Sequence, residues 1–290
     1  MTETVSREGF GGAAHTVAGR ETPGFGGKRI RYTLVVMSGK GGVGKSSVAV
    51  NVACALAARG AKVGLLDVDL KGPSVSGMLG LGEALLGGRG QAIAPKRFGE
   101  GLLVVSMQSL LSDPDQAVLW RGPMKIPAMQ QFLSDVDWGP LDYLVIDSPP
   151  GTGDEHLTVL HAIPDALCVL VTTPQEISLA DVRRTINFLQ YASASILGVV
   201  ENMSGLSCPA CGREIALFKK GGGEALARTY ALDFLGAVPL DPAVVVAADM
   251  GRPVVLLPGE GPAKKALCAL ASSVETACRR SLEAVATLRP

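Results

Sequence analysis

The glycine-rich stretch that decides the fold of this chain reads Gly39-Lys40-Gly41-Gly42-Val43-Gly44-Lys45-Ser46. It follows the apolar run Thr33–Met37 and opens a helical pattern over Ser46–Ala58. The spacing Gly-x-x-x-x-Gly-Lys-Ser between a strand and a helix is that of a phosphate-binding loop. Its glycines let backbone N–H groups converge on phosphate oxygens, and the helix N-terminus adds a favourable dipole. The stretch therefore predicts a nucleotide site on a strand–loop–helix unit.

Each residue type in the loop has an expected role. Lys45 is expected to contact the β- and γ-phosphates of ATP, and Ser46 to bind Mg²⁺. Lys40 is an additional lysine in a position where the phosphate-binding pattern accepts almost any residue. The residues predicted to contact nucleotide are Gly39, Lys40, Gly41, Gly42, Val43, Gly44, Lys45, Ser46 and Ser47.

Outside this loop, apolar runs alternate with helical patterns. The runs are Thr33–Met37, Ala61–Leu66, Gly101–Met107, Asp142–Ile146, Ala166–Thr172, Ser195–Glu201 and Phe234–Val238. Continuous apolar runs are typical of parallel strands that are buried on both faces. The helical patterns are Ser46–Ala58, Pro123–Val136, Ile177–Tyr191, Gly223–Ala231 and Pro262–Leu288. This alternation predicts an α/β fold, with a doubly wound, mostly parallel sheet flanked by helices.

The chain is predicted to form one domain after an N-terminal tail. Residues 1–29 are rich in glycine, contain Gly-Phe-Gly-Gly twice, and are expected to be a flexible tail. Residues 30–290 are expected to form a single nucleotide-binding domain, with an insertion near residues 203–222 that carries a Cys-x-x-Cys pair. The segment Ala92–Met107 interrupts the alternation and is expected to add a hairpin or an antiparallel edge strand.

Composition argues against a membrane or nucleic-acid partner. Lys+Arg and Asp+Glu both number 27, so no excess of positive charge indicates binding to nucleic acid or anionic lipid. No stretch approaches the roughly 20 apolar residues that span a bilayer. The N-terminus carries Glu3, Glu8 and Glu21 and lacks the apolar core of a secretory signal. We therefore expect a cytoplasmic protein.

Two further carboxylates are placed to complete the nucleotide site. Asp147 ends the apolar run that includes Ile146, where a carboxylate that holds Mg²⁺ is expected. Asp67 and Asp69 follow the run Ala61–Leu66, and the ends of parallel strands share one crevice. We assign Asp69 to the attacking water or the Mg²⁺ shell. For Asp67, a site role and a capping role both remain open.

Cysteine and histidine provide the other candidates for metal or proton chemistry. Cys54 and Cys168 lie in apolar segments and are expected to be small core residues. Cys208 and Cys211 form a close Cys-x-x-Cys pair. His156, which follows the acidic pair after the Asp147 loop, is expected to be a surface residue of a helix.

Several segments resemble a known family of ATPases. With Lys40, the loop is similar to the deviant Walker A of the MinD/NifH/ParA-like ATPases, in which the first lysine reaches the nucleotide of a dimer partner. The segments that resemble the Mrp/ApbC/NUBP branch, the iron–sulfur cluster carriers, are Asp67–Ser74, Trp120–Met124, Asp147–Asp154, Glu201–Ser204, Cys208–Gly212 and Gly221–Ala225. This resemblance implies slow ATP hydrolysis, a homodimer and delivery of clusters to apo iron–sulfur proteins. It also implies that Asn202 contacts the adenine.

The ligand count at Cys208 and Cys211 favours a shared site. A [4Fe–4S] cluster or a tetrahedral zinc normally takes four protein ligands, and one chain offers two in this pair. Two copies facing each other across a two-fold axis would supply four. Zinc and a structural or redox pair are the alternatives to a cluster. A MinD/ParA-like positioning ATPase is the alternative function, and it would not need these cysteines.

Overall fold

A computed structural model describes residues 30–69, 72, 74–82, 93–106, 122–208 and 210–287. The predicted N-terminal tail lies outside the described residues. The elements, in chain order, are β1 (Ile30–Ser38), α1 (Lys45–Ala58), β2 (Val63–Asp67), α2 (Val75–Met78), β3 (Lys96–Phe98), β4 (Leu102–Ser106), α3 (Gly122–Asp135), β5 (Leu141–Asp147), α4 (Asp154–Ala162), β6 (Leu167–Thr172), α5 (Glu176–Tyr191), β7 (Ser195–Ser207), β8 (Glu214–Ile215), α6 (Gly222–Thr229), β9 (Phe234–Leu240), α7 (Pro242–Asp249), a 3-10 turn (Val254–Leu256) and α8 (Pro262–Thr287).

One sheet runs through the described part of the chain. Its strand order is β3-β4-β2-β5-β1-β6-β7-β8, and β9 also pairs with β7. The pairings from β4 across to β9 are parallel, whereas β3 and β8 pair antiparallel with β4 and β7. The predicted doubly wound α/β fold is confirmed, and so is the antiparallel edge expected within Ala92–Met107.

The sheet has a separate apolar core on each face. Along β1, Leu34 and Val36 join the core that includes α1 and α8, whereas Val35 and Met37 join the core that includes α3, α4, α5 and α6. Alternate residues of a strand point to opposite faces, so a strand covered on both sides must be apolar at nearly every position. This double burial explains the continuous apolar runs in the sequence.

Two helices at the end of the chain begin at one carboxylate. Asp241 Oδ1 accepts a hydrogen bond from Ala243 N at 2.9 Å, which caps α7, and Asp241 Oδ2 accepts one from Ala263 N at 3.3 Å at the start of α8. Capping residues satisfy the N–H groups that a helix leaves without intrahelical partners. Asp241 thus fixes where both helices leave the end of β9.

The last helix carries apolar residues at spacings of three and four, which favours one apolar stripe packed on the sheet. Leu267, Leu270, Val274 and Cys278 are buried, but Leu282 is 37% exposed. A helix of 26 residues is about 39 Å long, whereas the 7-residue β9 spans about 23 Å. The final turns of α8 therefore extend past the strand on which the helix packs.

Four features of the fold, α2, β8, α7 and the full length of β7, were not predicted from the sequence. The chain forms α7 over Pro242–Asp249, and β7 continues to Ser207 rather than ending at Glu201. None of the described helices combines the length and the hydropathy that a bilayer crossing requires.

Candidate nucleotide and metal sites

The phosphate-binding loop lies between β1 and α1, as predicted. Gly44 precedes the helix in the left-handed region, at φ 80°, and Gly42 has φ 83°. A Cβ on Gly39 would lie 2.5 Å from the backbone of Asp181, so only glycine fits where the loop meets α5. The N-cap residue of α1 is Gly44, which has no side chain to cap the helix. Its first N–H groups therefore remain available to an anion such as phosphate.

A buried ion pair occupies the centre of the site. Lys45 Nζ lies 2.5 Å from Asp147 Oδ1, and the two side chains are 6% and 0% exposed. Lys45 Nζ also donates to Ser46 Oγ at 3.3 Å. The strand register explains the pairing, because Asp147 lies beside Val36 of β1. The three residues predicted to act on the phosphates and Mg²⁺ therefore lie together.

Asp147 has the properties of a Mg²⁺ carboxylate. Its Oδ2 is buried and has no hydrogen-bond partner in the described residues. Burial raises the pKa of Asp147, and the neighbouring Lys45 ammonium opposes that rise. A buried acceptor without a partner is costly unless a further cation or donor satisfies it. Asp147 and the Ser46 hydroxyl thus fit a bound Mg²⁺, with oxygen ligands of the kind this ion prefers.

Asp67 acts as a cap for the chain that follows β2. Its carboxylate accepts hydrogen bonds from Asp69 N at 3.1 Å, Val75 N at 3.3 Å and Ser106 Oγ at 3.1 Å. Burial and the nearby Asp147 raise the pKa of Asp67 to about 7. Asp69 is 8% exposed, and its Oδ1 accepts from Gly72 N at 3.3 Å. Of the two roles left open for Asp67, the geometry supports the capping role.

Asn202 contacts the phosphate-binding loop from the end of β7. Its Nδ2 donates to the carbonyl of Val43 at 2.9 Å. A Cβ on Gly44 would lie 2.2 Å from the same nitrogen. Lys40, half-buried on the loop, accepts at its carbonyl from Ser38 Oγ at 2.9 Å. The adenine contact of Asn202 and the cross-dimer role of Lys40 stay predictions.

His156 is buried, and its predicted surface location is wrong. It is 2% exposed, its Nε2–H donates to the carbonyl of Pro149 at 2.9 Å, and its ring meets Phe188 edge-on at 6.3 Å. Burial lowers the pKa of His156. The spacing of His156 with the buried Val159 and Leu160 on α4 was the signal for an inward-facing position. His156 thus fixes the loop that follows Asp147.

The cysteine pair lies on a hairpin that projects from β7. We call residues 204–221 the cysteine hairpin; β7 and β8 pair within it through Leu206 and Ile215. Cys208 N donates to Arg213 O at 2.9 Å, and Gly212 N donates to Cys208 O at 2.8 Å. These two bonds close a tight turn around the pair.

The turn stabilises a thiolate. The N–H groups of Cys211 and Ala210 donate to the Cys208 sulfur and hold the pKa of its thiol below the usual value. Cys208 is half-buried and Cys211 is exposed. Within the described residues, no group of three or more cysteine, histidine or acidic side chains could hold a metal ion. The pair therefore has the donor chemistry of half a metal site, because thiolates are the ligands of zinc and of iron–sulfur clusters.

The thiols of the core cysteines have pKa values shifted in the opposite direction from that of Cys208. Burial raises the pKa of Cys54 and Cys168 to about 12. The predicted core role of both residues is confirmed, since Cys54 is 2% and Cys168 0% exposed. A thiol must ionise to act as a nucleophile or metal ligand, so these two are inert at neutral pH.

Comparisons with known proteins identify the family of this chain. Residues 29–275 match the family model described as ParA, NUBPL iron-transfer P-loop NTPase. The iron-sulfur cluster carrier protein of Methanocaldococcus jannaschii is 46% identical over 230 residues, which cover 79% of each chain. The human cytosolic Fe-S cluster assembly factor NUBP2 is 45% identical, over 84% of this chain and 92% of its own. A nucleotide-binding protein from Archaeoglobus fulgidus, in complex with ADP and with cobalt, superposes with a TM-score of 0.67 at 38% identity, over 77% of this chain and 87% of its own.

Changing Lys45 to alanine is expected to abolish ATP binding, because it removes the ammonium of the phosphate-binding loop that pairs with Asp147. The change also leaves a buried carboxylate without its cation, which for such pairs costs about 3–5 kcal/mol of stability. Calorimetric titration with Mg·ATP and urea unfolding measure the two effects. The double variant Lys45→Ala/Asp147→Asn should regain stability without regaining binding, and the exposed Lys62→Ala is the control. Undiminished ATP binding by either Lys45 variant would contradict the assignment.

His156 is expected to make stability fall in mild acid. Its pKa is lowered in the folded protein, so the unfolded chain takes up a proton first as the pH falls through about 6.5. Between pH 7.5 and 5.5 this uptake should cost about 1 kcal/mol in the free energy of unfolding. His156→Gln, which keeps a donor for Pro149, should lack that part of the pH dependence. His161→Gln, on the exposed side of the same helix, should retain it; equal pH dependence in both variants would count against the prediction.

Proposed function

The chain belongs to the NUBPL iron-transfer P-loop NTPase family, and on that premise we propose that it is an ATP-dependent carrier of iron–sulfur clusters. In this proposal, the cluster is cargo, held as [4Fe–4S] across a homodimer and passed to apo iron–sulfur proteins. The M. jannaschii relative is named an iron-sulfur cluster carrier protein, and the human relative is named a cytosolic assembly factor. These names support the cargo and a cytoplasmic location.

The observation that carries the proposal is the turn at Cys208 and Cys211. Backbone N–H groups that point at the Cys208 sulfur stabilise the ionised form, which is the form that binds iron. The turn also leaves Cys211 exposed, as a site that accepts a second half from another molecule must be. Two thiolates from each of two copies complete the four ligands that a [4Fe–4S] cluster takes.

The nucleotide site supports ATP hydrolysis by positioning and charge. Lys45 would exchange Asp147 for the phosphates of ATP, and Ser46 and Asp147 are the residues that would hold Mg²⁺. The ion, when bound, neutralises charge that develops on the transferred phosphoryl group. Asp69 orients the attacking water. Lys40 reaches the nucleotide of the partner subunit, so that hydrolysis requires the dimer.

Zinc is the alternative occupant of the cysteine pair. A Cys-x-x-Cys turn with N–H groups directed at sulfur suits zinc as well, and structural zinc sites also take four ligands. A zinc-bound dimer would keep the ATPase but would have no cargo to deliver. The metal and sulfide content after reconstitution separates the two possibilities.

Cys208→Ala should abolish cluster binding and leave nucleotide binding intact, because the backbone bonds of Cys208 run to Arg213 and Gly212 within the hairpin turn and do not depend on its thiol. After anaerobic reconstitution with iron and sulfide, one shared cluster gives the unmodified protein about two irons and two sulfides per chain. The matched control is Cys268→Ala, which removes a half-buried thiol from α8. A Cys208→Ala protein that still binds a full cluster would refute the shared site, and about half a zinc per chain without iron would favour zinc.

Lys40→Ala should lower ATP turnover by at least about tenfold, the order expected for loss of a cation that stabilises transition-state charge. Its effect on the Kd for Mg·ATP should be much smaller, because Lys45 and the loop backbone remain. Steady-state phosphate release and calorimetric titration measure the two quantities, with exposed Lys62→Ala as control. Equal loss of affinity and turnover would indicate that Lys40 acts within its own subunit.

A further inference from the structure

Glu201 is a buried carboxylate that joins the two ends of the cysteine hairpin. It is 0% exposed. Its Oε1 accepts from Ser204 Oγ at 2.5 Å and from Gly221 N at 2.8 Å, and its Oε2 accepts from Gly223 N at 2.6 Å. Ser204 begins the hairpin and Gly221 ends it. One side chain therefore determines where the hairpin leaves the sheet and where it returns.

The base of the hairpin is closely packed. A Cβ on Gly223 would lie 3.0 Å from Glu201 Cβ and 3.2 Å from Thr172 Cγ2. A Cβ on Gly222 would lie 2.8 Å from Leu179 Cδ1. Interiors packed this closely transmit displacements rather than absorb them. A shift of Glu201 must therefore move the base of the hairpin.

The residue next to Glu201 contacts the nucleotide loop. Successive side chains of a strand point to opposite faces, so Glu201 and Asn202 face different neighbours. Asn202 Nδ2 donates to Val43 O at 2.9 Å. Val43 precedes Gly44, the N-cap of α1, whose first N–H groups are available to phosphate. Two consecutive residues of β7 thus touch the nucleotide site and the base of the cysteine hairpin.

Beyond Asn202 the strand loses its regular pairing. Asn202 pairs with Val238 of β9, but the next pair is Leu206 with Leu240, so four positions of β7 advance against two of β9. Met203 has φ 56° and Gly205 has φ 72°, both in the left-handed region. Pairing with β9 resumes at Leu206, so the interruption is confined to the start of the hairpin. Across it, the Glu201 carboxylate holds the chain through Ser204 and Gly221.

We propose that Glu201 is a positioning residue that sets the cysteine hairpin according to the nucleotide state of the phosphate-binding loop, which it senses through Asn202 and Val43. A nucleotide that reorients the Val43 carbonyl alters the Asn202 hydrogen bond, and the adjoining Glu201 carries that change to Ser204 and Gly221. The inference rests on the proposed function, since it supplies the means by which ATP regulates the cluster site. Coupling between two sites is reciprocal, so cluster occupancy must affect nucleotide affinity by the same factor.

The test uses the reactivity of the thiols themselves. In the full-length apo protein, alkylation of Cys208 and Cys211 by iodoacetamide is followed by peptide mass spectrometry, with and without Mg²⁺ and a non-hydrolysable ATP analogue. The analogue should change the rate at least about fivefold in the unmodified protein, the low end of typical allosteric coupling. In Glu201→Gln, which offers one acceptor oxygen instead of two, the change should fall below about twofold while the Kd for the analogue stays within about threefold.

Two further variants make the test specific. Glu224→Gln, an exposed glutamate in the first turn of α6, should respond to nucleotide as the unmodified protein does. Ser204→Ala removes a single bond to Glu201, and should give an intermediate response even if Glu201→Gln does not fold. Thermal unfolding monitors folding in each case. A full nucleotide response in Ser204→Ala and in folded Glu201→Gln would overturn the inference, as would thiols in the unmodified protein that do not respond to nucleotide.

Cluster reconstitution separates this inference from the proposed function. One outcome is that nucleotide changes the reactivity of the thiols, Glu201→Gln removes that change, and the protein takes up no iron. This outcome would support the link between Glu201 and the cysteine hairpin and refute the carrier function. About two irons per chain with thiols insensitive to nucleotide would support the carrier function and overturn the link.

Discussion

The ion pair between Lys45 and Asp147 is the interaction on which the site depends. Both groups are buried, and removing two charges from water is costly unless each remains paired. Burial raises the pKa of Asp147, and the Lys45 ammonium is the largest of the effects that oppose that rise. Under the proposed function, a Mg²⁺-bound nucleotide would offer a replacement partner to each member, since phosphate would attract the lysine and Mg²⁺ the carboxylate.

Strand order explains why a few neighbouring strands supply both the nucleotide site and the cysteine pair. In the parallel series β2-β5-β1-β6-β7, every strand ends at the same edge of the sheet. That edge receives Asp67, Asp147, the phosphate-binding loop and Asn202, as expected for ligands of an open α/β sheet. Because the cysteine hairpin continues from β7, it leaves from the edge where the nucleotide loop lies. The strand topology thus places the phosphate-binding loop and the start of the cysteine hairpin at one edge of the sheet.

The sequence was sufficient to predict the sheet and the loop. Strands buried on both faces must be apolar at nearly every position, and a phosphate-binding loop needs glycine at fixed positions. Contacts between residues that are distant in the sequence could not be predicted from such local patterns. Glu201 appears in the sequence as a charged residue at a strand end, and its burial depends on N–H groups some twenty positions later. The two acidic residues before His156 favour a surface position, whereas its helical spacing with the buried Val159 favours the inward position that it takes. The extension of β7 to Ser207 could not be predicted, because Met203 and Gly205 take left-handed backbone angles. Such angles interrupt the alternation of side chains between the two faces of a strand.

The contrast among the cysteines bears on how a cluster would be released. Burial raises the pKa of Cys54, Cys168 and Cys278 to about 12, so thiolate chemistry is confined to more accessible positions. At the hairpin, backbone N–H groups rather than a cationic side chain favour the Cys208 thiolate. Such donors move with the backbone, so their contribution changes when the base of the hairpin moves. Under the proposed function, each subunit holds half of the ligands. Separating two halves weakens all four bonds together, whereas a site complete in one chain would have to break them one at a time. A carrier that must both hold and surrender its cargo is better served by the shared arrangement.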